Sequence, residues 1–248
     1  HVDVYTGFAE PLFQMVTSPT GSAVMMICAN MKTSPLCWLA LDKTVAPGQR
    51  SSKKIGPADL RGRTFGVQPG GPYYLGYVLG QMGMSIDDVK VVNAGAGPDA
   101  LIGGAMDFYQ GWLDNQPRLL ERNGYHNWFA LNFADVGYPD YGDISTVTPA
   151  FYAAEKELLR RYVYALDRSM RYLIAHPQES AEIVAHTPEV SSYQLNVADV
   201  LWRIKTDTPL FQGNGAQPLL ALDAGQLHDT AVQMYRYHSL ELPGSPKP

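Results

Sequence analysis

The stretch from Thr64 to Gly83, TFGVQPGGPYYLGYVLGQMG, constrains the fold more than any other part of the chain. Thr64–Gln68 is a short apolar run suited to a buried strand. A glycine-proline turn follows, and YYLGYVLGQMG then carries apolar residues at helical spacing until Gly83 stops it. The same alternation continues downstream. Val89–Asn93 reads as a strand, Pro98–Gly104 as a helix and Ala105–Trp112 as a strand. Leu113–Gly124 reads as a helix capped by Asp114 or Asn115 and closed by Asn123 and Gly124. Strands alternating with helices predict an α/β fold with a parallel sheet and right-handed crossovers. Upstream, Ala23–Ile27 and Leu36–Leu41 suit buried strands, and Lys53–Leu60 a connector with a short helix.

Phe133–Ile144 packs two glycines, a proline and three acids into a dozen residues, the composition of a chain crossing between lobes. Pro149–Ala175 is a strong helical pair that keeps Leu158, Val163, Leu166, Met170 and Leu173 near one face. Further helical segments run to Lys205, and from Leu219 a final helix precedes a proline-rich tail. The formal charge is -5 with dispersed basic residues, so no footprint for nucleic acid is expected. No apolar run approaches the roughly 18 residues that span a bilayer, and the opening HVDVYTGFAEPLF lacks the layout of a signal peptide. The chain is therefore expected to be soluble, either mature or truncated. Cys28 and Cys37 fit no metal-ligand spacing; buried free thiols are expected, with a local disulfide as the alternative.

Four segments place polar or aromatic groups at strand ends or helix starts, the edge where ligands bind in open parallel sheets. In TGFAEP, Glu10 opens a helix, where the dipole alone favours a carboxylate. In QPGGPYY, Gly70 and Gly71 let backbone approach an anion or carbonyl, and one of Tyr73 and Tyr74 is expected to face a crevice. In GWLDNQP, the Trp112 indole can stack on a ring while Asp114, Asn115 and Gln116 read its polar edge. YGDIS adds Tyr141 and Asp143. Against these stand plainer readings: a tight turn, half-buried tyrosines, a capping residue, a core indole. The six histidines are scattered. No nucleophile elbow, HExxH or phosphate-binding loop is present, so no catalytic residue, metal or cofactor is expected.

The ordered set DLRGRTFGVQPGGPYYLGYVLGQMGMSIDDVKVV, ALIGGAMDFYQGWLDNQP and YGDISTVTPAFYAAEKELLRRYVYALDRSMRYLIAHPQESAEIV, with TGFAEP and SPLCW before it, resembles the NMT1/THI5-like substrate-binding proteins of ABC transporters. That resemblance implies a type II periplasmic-binding-protein fold, with two lobes, parallel-rich sheets and flanking helices, closing on ligand by a hinge. Residues 1–57 and 136–248 would form one lobe and 58–135 the other. The pocket would draw on Gly7, Phe8, Ala9, Glu10, Ser34, Gly70, Gly71, Tyr73, Tyr74, Trp112, Asn115, Gln116, Tyr141 and Asp143. The implied partners are a small-molecule ligand and an ABC permease, and the implied location is the periplasm or a lipid-anchored position outside the cell. Family ligands include thiamin-precursor pyrimidines, riboflavin and sulfonates. The amide-rich GWLDNQP with Glu10 and Asp143 favours a planar heterocycle. Members usually carry a strand, a helix and a second strand ahead of the TGFAEP segment. Were that opening truly absent, exposed sheet edges would call for cover, and a homodimer exchanging elements is the expected solution. The rival reading is a pyrimidine synthase like the fungal relatives, but their early lysine and histidine and cysteine-rich motif have no counterpart.

Overall fold

The computed structural model describes residues 3–18, 23–68, 71–188 and 195–237. Two compact units emerge, one discontinuous (residues 1–34 with 139–248) and one continuous (35–138). The expected division gave 35–57 to the discontinuous lobe. The structure assigns them to the other unit, because the strand at Leu36–Leu41 takes all its ladder partners there.

In the continuous unit, β3 (Leu36–Leu41), α2 (Pro57–Leu60), β4 (Thr64–Val67), α3 (Gly71–Gln81), β5 (Lys90–Asn93), α4 (Asp99–Ile102), β6 (Phe108–Trp112), α5 (Gln116–Arg122) and β7 (Trp128–Asn132) follow in order. They form a five-stranded sheet in the order β5-β4-β6-β3-β7. The expected parallel pairing holds for β4 with β5 and β6, while β3 runs antiparallel to both β6 and β7. LCWLAL is apolar on both faces because β3 is central and covered on both sides. On one face Trp38 meets Phe65 edge-on at 5.1 Å and Phe133 at 5.7 Å, and Phe65 stacks on Phe108 at 4.8 Å. On the other, Cys37 and Leu39 join Leu101, Met106, Tyr109 and Leu120. β7 has no forerunner in the sequence reading.

In the discontinuous unit come β1 (Tyr5–Gly7), α1 (Ala9–Thr17), β2 (Met25–Met31), β8 (Asp143–Val147), α6 (Pro149–Ala154), α7 (Lys156–Ala175), α8 (Pro177–Ala185), α9 (Val197–Gln212) and α10 (Ala224–Arg236). β8 is the centre of an antiparallel sheet with β1 and β2 on its two sides. Ala9, Leu12, Ala29, Tyr141 and Ile144 make one small core, and Ala181, Val200 and Ile204 another between α8 and α9. The buried Lys32 ammonium donates to the carbonyls of Gln217 (2.8 Å) and Pro218 (2.5 Å), tying the end of β2 to the loop before α10. Both cysteines are free and buried, as expected. No helix among the described residues is long and apolar enough to cross a membrane.

Candidate functional site

In the discontinuous unit the side chains of β8 alternate between the apolar core and a polar cluster, because period-2 geometry sends Ile144 one way and Asp143 and Ser145 the other. Ser145 is fully buried. Its hydroxyl lies 2.8 Å from Asn30 Nδ2, 3.3 Å from the Tyr162 hydroxyl and 3.5 Å from Thr6 Oγ1. Asn30 also donates to Asp143 Oδ2 at 3.3 Å and accepts from the Cys28 thiol at 3.4 Å. Burial pushes the Asp143 carboxyl above its ordinary range, partly offset by the hydrogen bonds from Asn30 and the Ile144 backbone. Burial likewise pushes up Cys28, and pushes Cys37 up strongly, so neither thiol is poised as a thiolate. Of this cluster only Asp143 was named from the sequence. Ser145 follows it two residues on along β8, whereas Thr6, Cys28 and Asn30 lie more than a hundred residues away and reach it through strand pairing, and Tyr162 reaches it from α7.

The remaining expected residues of this unit divide. Gly7 ends β1 opposite Ile144. A Cβ there would come within 2.6 Å of the Tyr5 hydroxyl, so the glycine accommodates that ring. Phe8 is half-buried at the N-cap of α1, and Ala9 is core. Glu10 lies in the first turn of α1, its side chain outside the described residues. Ser34 is buried. Tyr141 is buried, and its hydroxyl accepts the Asp223 backbone N–H at 2.7 Å, which commits it to internal structure.

In the continuous unit, Gly70 lies outside the described residues and Gly71 begins α3. Tyr73 is half-buried, 5.2 Å ring to ring from Tyr74. Tyr74 turns inward against Phe133 and Tyr138, so of the pair it is the packing residue. Trp112 ends β6 half-buried. Asn115, one of the two residues expected to cap this helix, occupies the N-cap of α5, but its side chain makes no capping hydrogen bond and it stands exposed. Gln116 does the local bonding instead. It is buried, accepts the Trp112 N–H at 2.8 Å and donates to the Ala96 carbonyl at 3.3 Å. Gln116 thus fixes the end of β6, leaving the Trp112 ring and the Asn115 amide as its accessible chemistry.

A family model described as NMT1/THI5 like matches residues 8–180. The chain belongs to that family. Solved structures of similar fold include the alkanesulfonate-binding protein SsuA from Xanthomonas axonopodis pv. citri, 17% identical, TM-score 0.68, with 97% of this chain and 77% of that one covered. The periplasmic aliphatic sulphonate binding protein SsuA from Escherichia coli is 13% identical with TM-score 0.71, covering 96% and 72%. The desulfurization enzyme DSZB is 15% identical with TM-score 0.60, covering 96% and 80%. At these identities the likeness establishes the fold of this NMT1/THI5-like chain, that of the periplasmic binding proteins. No curated protein matches the sequence.

Proposed function

We propose that this NMT1/THI5-like chain is the solute-binding component of an ABC importer, working in the periplasm or lipid-anchored outside the cell. Its ligand is a small planar heterocycle of the pyrimidine type, which it carries without chemical change. The observation that carries the importer role is the family match over residues 8–180. The ligand class rests on the chemistry of the groups the two units offer. Asn30 and Asp143 form an amide and carboxyl pair that offers both donors and acceptors, and burial pushes the Asp143 carboxyl above its ordinary range. Trp112 and Asn115 offer a ring face and an open amide. A heterocycle presents alternating donors and acceptors to such groups, and its face stacks on indole.

The solved neighbours named for alkanesulfonates favour a second ligand, an aliphatic sulfonate. A sulfonate is permanently anionic and offers only acceptors, and none of Asn30, Asp143, Trp112 and Asn115 brings a cation to meet it. The likeness to a desulfurization enzyme suggests a catalytic reading, which the two buried, high-pKa thiols do not favour.

A thermal-shift and calorimetric screen of aminopyrimidines, riboflavin, taurine and MOPS tests the choice. A true ligand at 100 times its Kd adds about 2.7 kcal/mol of stability. The expected result is a response to pyrimidines that Trp112→Ala weakens about tenfold or more, equivalent to the roughly 1–3 kcal/mol of one stacking contact. A response confined to sulfonates replaces the heterocycle, and silence toward every compound overturns the binding role.

A further inference from the structure

Strands β4, β5 and β6 run parallel, so the chain leaves all three at one edge of the sheet, the edge where open parallel sheets receive ligands. Between the end of β5 and the start of α4 lies the loop 94–98, whose sequence AGAGP offers almost no side chain. Its chemistry is therefore that of its backbone. Gly95 and Ala96 are exposed, yet both of their carbonyls are committed inward. The hydroxyl of the fully buried Tyr109 donates to the Gly95 carbonyl at 3.0 Å, and the amide of the buried Gln116 donates to the Ala96 carbonyl at 3.3 Å.

Across a trans peptide the carbonyl and the N–H of the following residue point in opposite directions, and no peptide bond among the described residues is cis. With the Gly95 and Ala96 carbonyls turned to the interior, the N–H groups of Ala96 and Gly97 are turned outward. Neither meets an acceptor among the described residues. An acceptor stands beside them, for Asp99 Oδ2 lies 3.0 Å from where a Cβ on Gly97 would be. Asp99 is exposed, and its carboxylate makes no ion pair or hydrogen bond with the described residues. We propose that this loop reads the polar edge of an aminopyrimidine: the paired N–H groups of Ala96 and Gly97 receive a ring nitrogen, and the Asp99 carboxylate accepts from the amino group next to it. The inference rests on the heterocycle reading proposed above and assigns it a site.

The donors belong to the loop ahead of α4, whose N-cap is Pro98, and their direction is imposed by Tyr109 and Gln116, not by that short helix. Gln116 accepts the Trp112 N–H at 2.8 Å through its other amide atom, so the loop and the Trp112 turn stand one amide group apart. Tyr109 accepts from the Gln68 side chain at 3.1 Å, and the Gln68 backbone N–H donates to Gln110 at 3.0 Å. Three strand ends are thereby joined before a ligand arrives, which lowers the ordering cost of binding. Burial raises the Tyr109 hydroxyl above its ordinary range, against its bonds to Gln116 and Gln68, and the nearby Asp99 charge adds to the rise. Charge also selects the ligand. Outward N–H groups alone would take any acceptor, a sulfonate oxygen included. The Asp99 carboxylate beside them disfavours an anion and favours a donor next to the acceptor, the pattern of a ring nitrogen flanked by an exocyclic amine.

The test follows the Ala96 and Gly97 amides of the full chain by NMR while 4-aminopyrimidine, unsubstituted pyrimidine and methanesulfonate are titrated, with calorimetry for affinity. At saturation with 4-aminopyrimidine both amide protons should move downfield and exchange at least about tenfold more slowly. Pyrimidine, which lacks the amine, should bind at least about fivefold more weakly, and Asp99→Ala should shrink that ratio below about twofold. Tyr109→Phe keeps its ring in the core but frees the loop, and should weaken 4-aminopyrimidine about fivefold or more. A merely structural role for Asp99 would lower Tm and leave the ratio in place, so the ratio decides. Calorimetric binding of 4-aminopyrimidine that leaves both amides unmoved overturns this inference and spares the heterocycle reading, whereas binding of none of the probes overturns both. An unchanged ratio in Asp99→Ala, a parent-like affinity in Tyr109→Phe, or amides that respond to methanesulfonate and not to 4-aminopyrimidine also overturns it.

Discussion

Against β3 in the continuous unit lie Trp38, Phe65, Phe108 and Phe133, ring on ring with no polar partner between them. Against β8 in the discontinuous unit lie Ser145, Asn30, Asp143, Cys28 and Tyr162, held by hydrogen bonds. An aromatic block gains free energy from area and contact and tolerates small displacements. A polar cluster is stable only when every member keeps its partner, so it fixes register and is vulnerable at each member. One unit is held by packing; the other is held, at its central strand, by a buried network of hydrogen bonds.

The largest expected effect tests the aromatic side of this contrast. Trp38→Ala should destabilise the continuous unit by about 3–5 kcal/mol, the usual cost of emptying a buried aromatic site. Three of the four tryptophans, Trp38, Trp112 and Trp128, lie in that unit, so denaturation followed by tryptophan fluorescence reports mainly on it. A loss below about 1 kcal/mol would mean that Trp38 is not central to the block. The polar side should respond less. Asn30→Ala leaves Ser145 and Asp143 short of a partner in a buried setting and should cost about 1–3 kcal/mol. Hydrogen exchange of the β8 amides is the measurement. Unchanged protection there would show the cluster to be ornamental to the sheet.

The apolar half of this contrast was legible in the sequence and the polar half was not. LCWLAL announces a central strand because both its faces are apolar, and Leu36–Leu41 is where β3 lies. TFGV and KVVN likewise appear as β4 and β5, and the helices after them begin and end within a few residues of the turn signals. The predicted Ala23–Ile27 strand is displaced to Met25–Met31, because the ladder with β8 continues through Ala29 and Met31, with Asn30 at a register irregularity between them. WFALN, which becomes β7, is too short and unflanked to announce itself. The antiparallel turn of β3 against β6 follows from which strands are neighbours, and no local pattern encodes that. Among the candidate residues, Asp143 in one unit and Trp112 in the other stood out by residue type, whereas Thr6, Asn30, Ser145 and Tyr162 meet only through strand register and helix packing. Tyr74, Gln116 and Tyr141 have the residue types of ligand contacts, but packing has given them internal work.

Acid should separate the units by sign. The folded pKa of Asp143 is raised by burial, so between the ordinary aspartate value of about 3.9 and that raised value the native state holds a proton that the unfolded state has released. Its stabilising contribution is complete below about pH 3.9 and is lost as pH rises through the folded value. Asp42, at the end of β3, accepts from the Thr44 hydroxyl (2.6 Å), the Ser51 hydroxyl (2.7 Å) and the Thr44 backbone (3.0 Å), which hold its pKa low. Its contribution is present above about pH 3.9 and is lost as pH falls through the lowered folded value. Asp143→Asn should flatten the first dependence and Asp42→Asn the second, read as the change of Tm with pH. Identical profiles for both variants and the parent would remove the electrostatic difference between the units.

The smallest effect is the one that separates structure from binding. In the discontinuous unit Asn196 caps α9 by accepting the Asp199 N–H at 2.9 Å, and Asn196→Ala should cost about 1 kcal/mol. Asn115 stands at the same position of α5 in the continuous unit with its side chain unused, so Asn115→Ala should cost no more than about 0.5 kcal/mol, as for an ordinary surface change. If the exposed amide is kept for solute, the same variant should lower ligand affinity while leaving Tm in place. A Tm loss equal to that of Asn196→Ala would show that Asn115 caps its helix after all, and an affinity equal to the parent's would remove it from the ligand-contacting set.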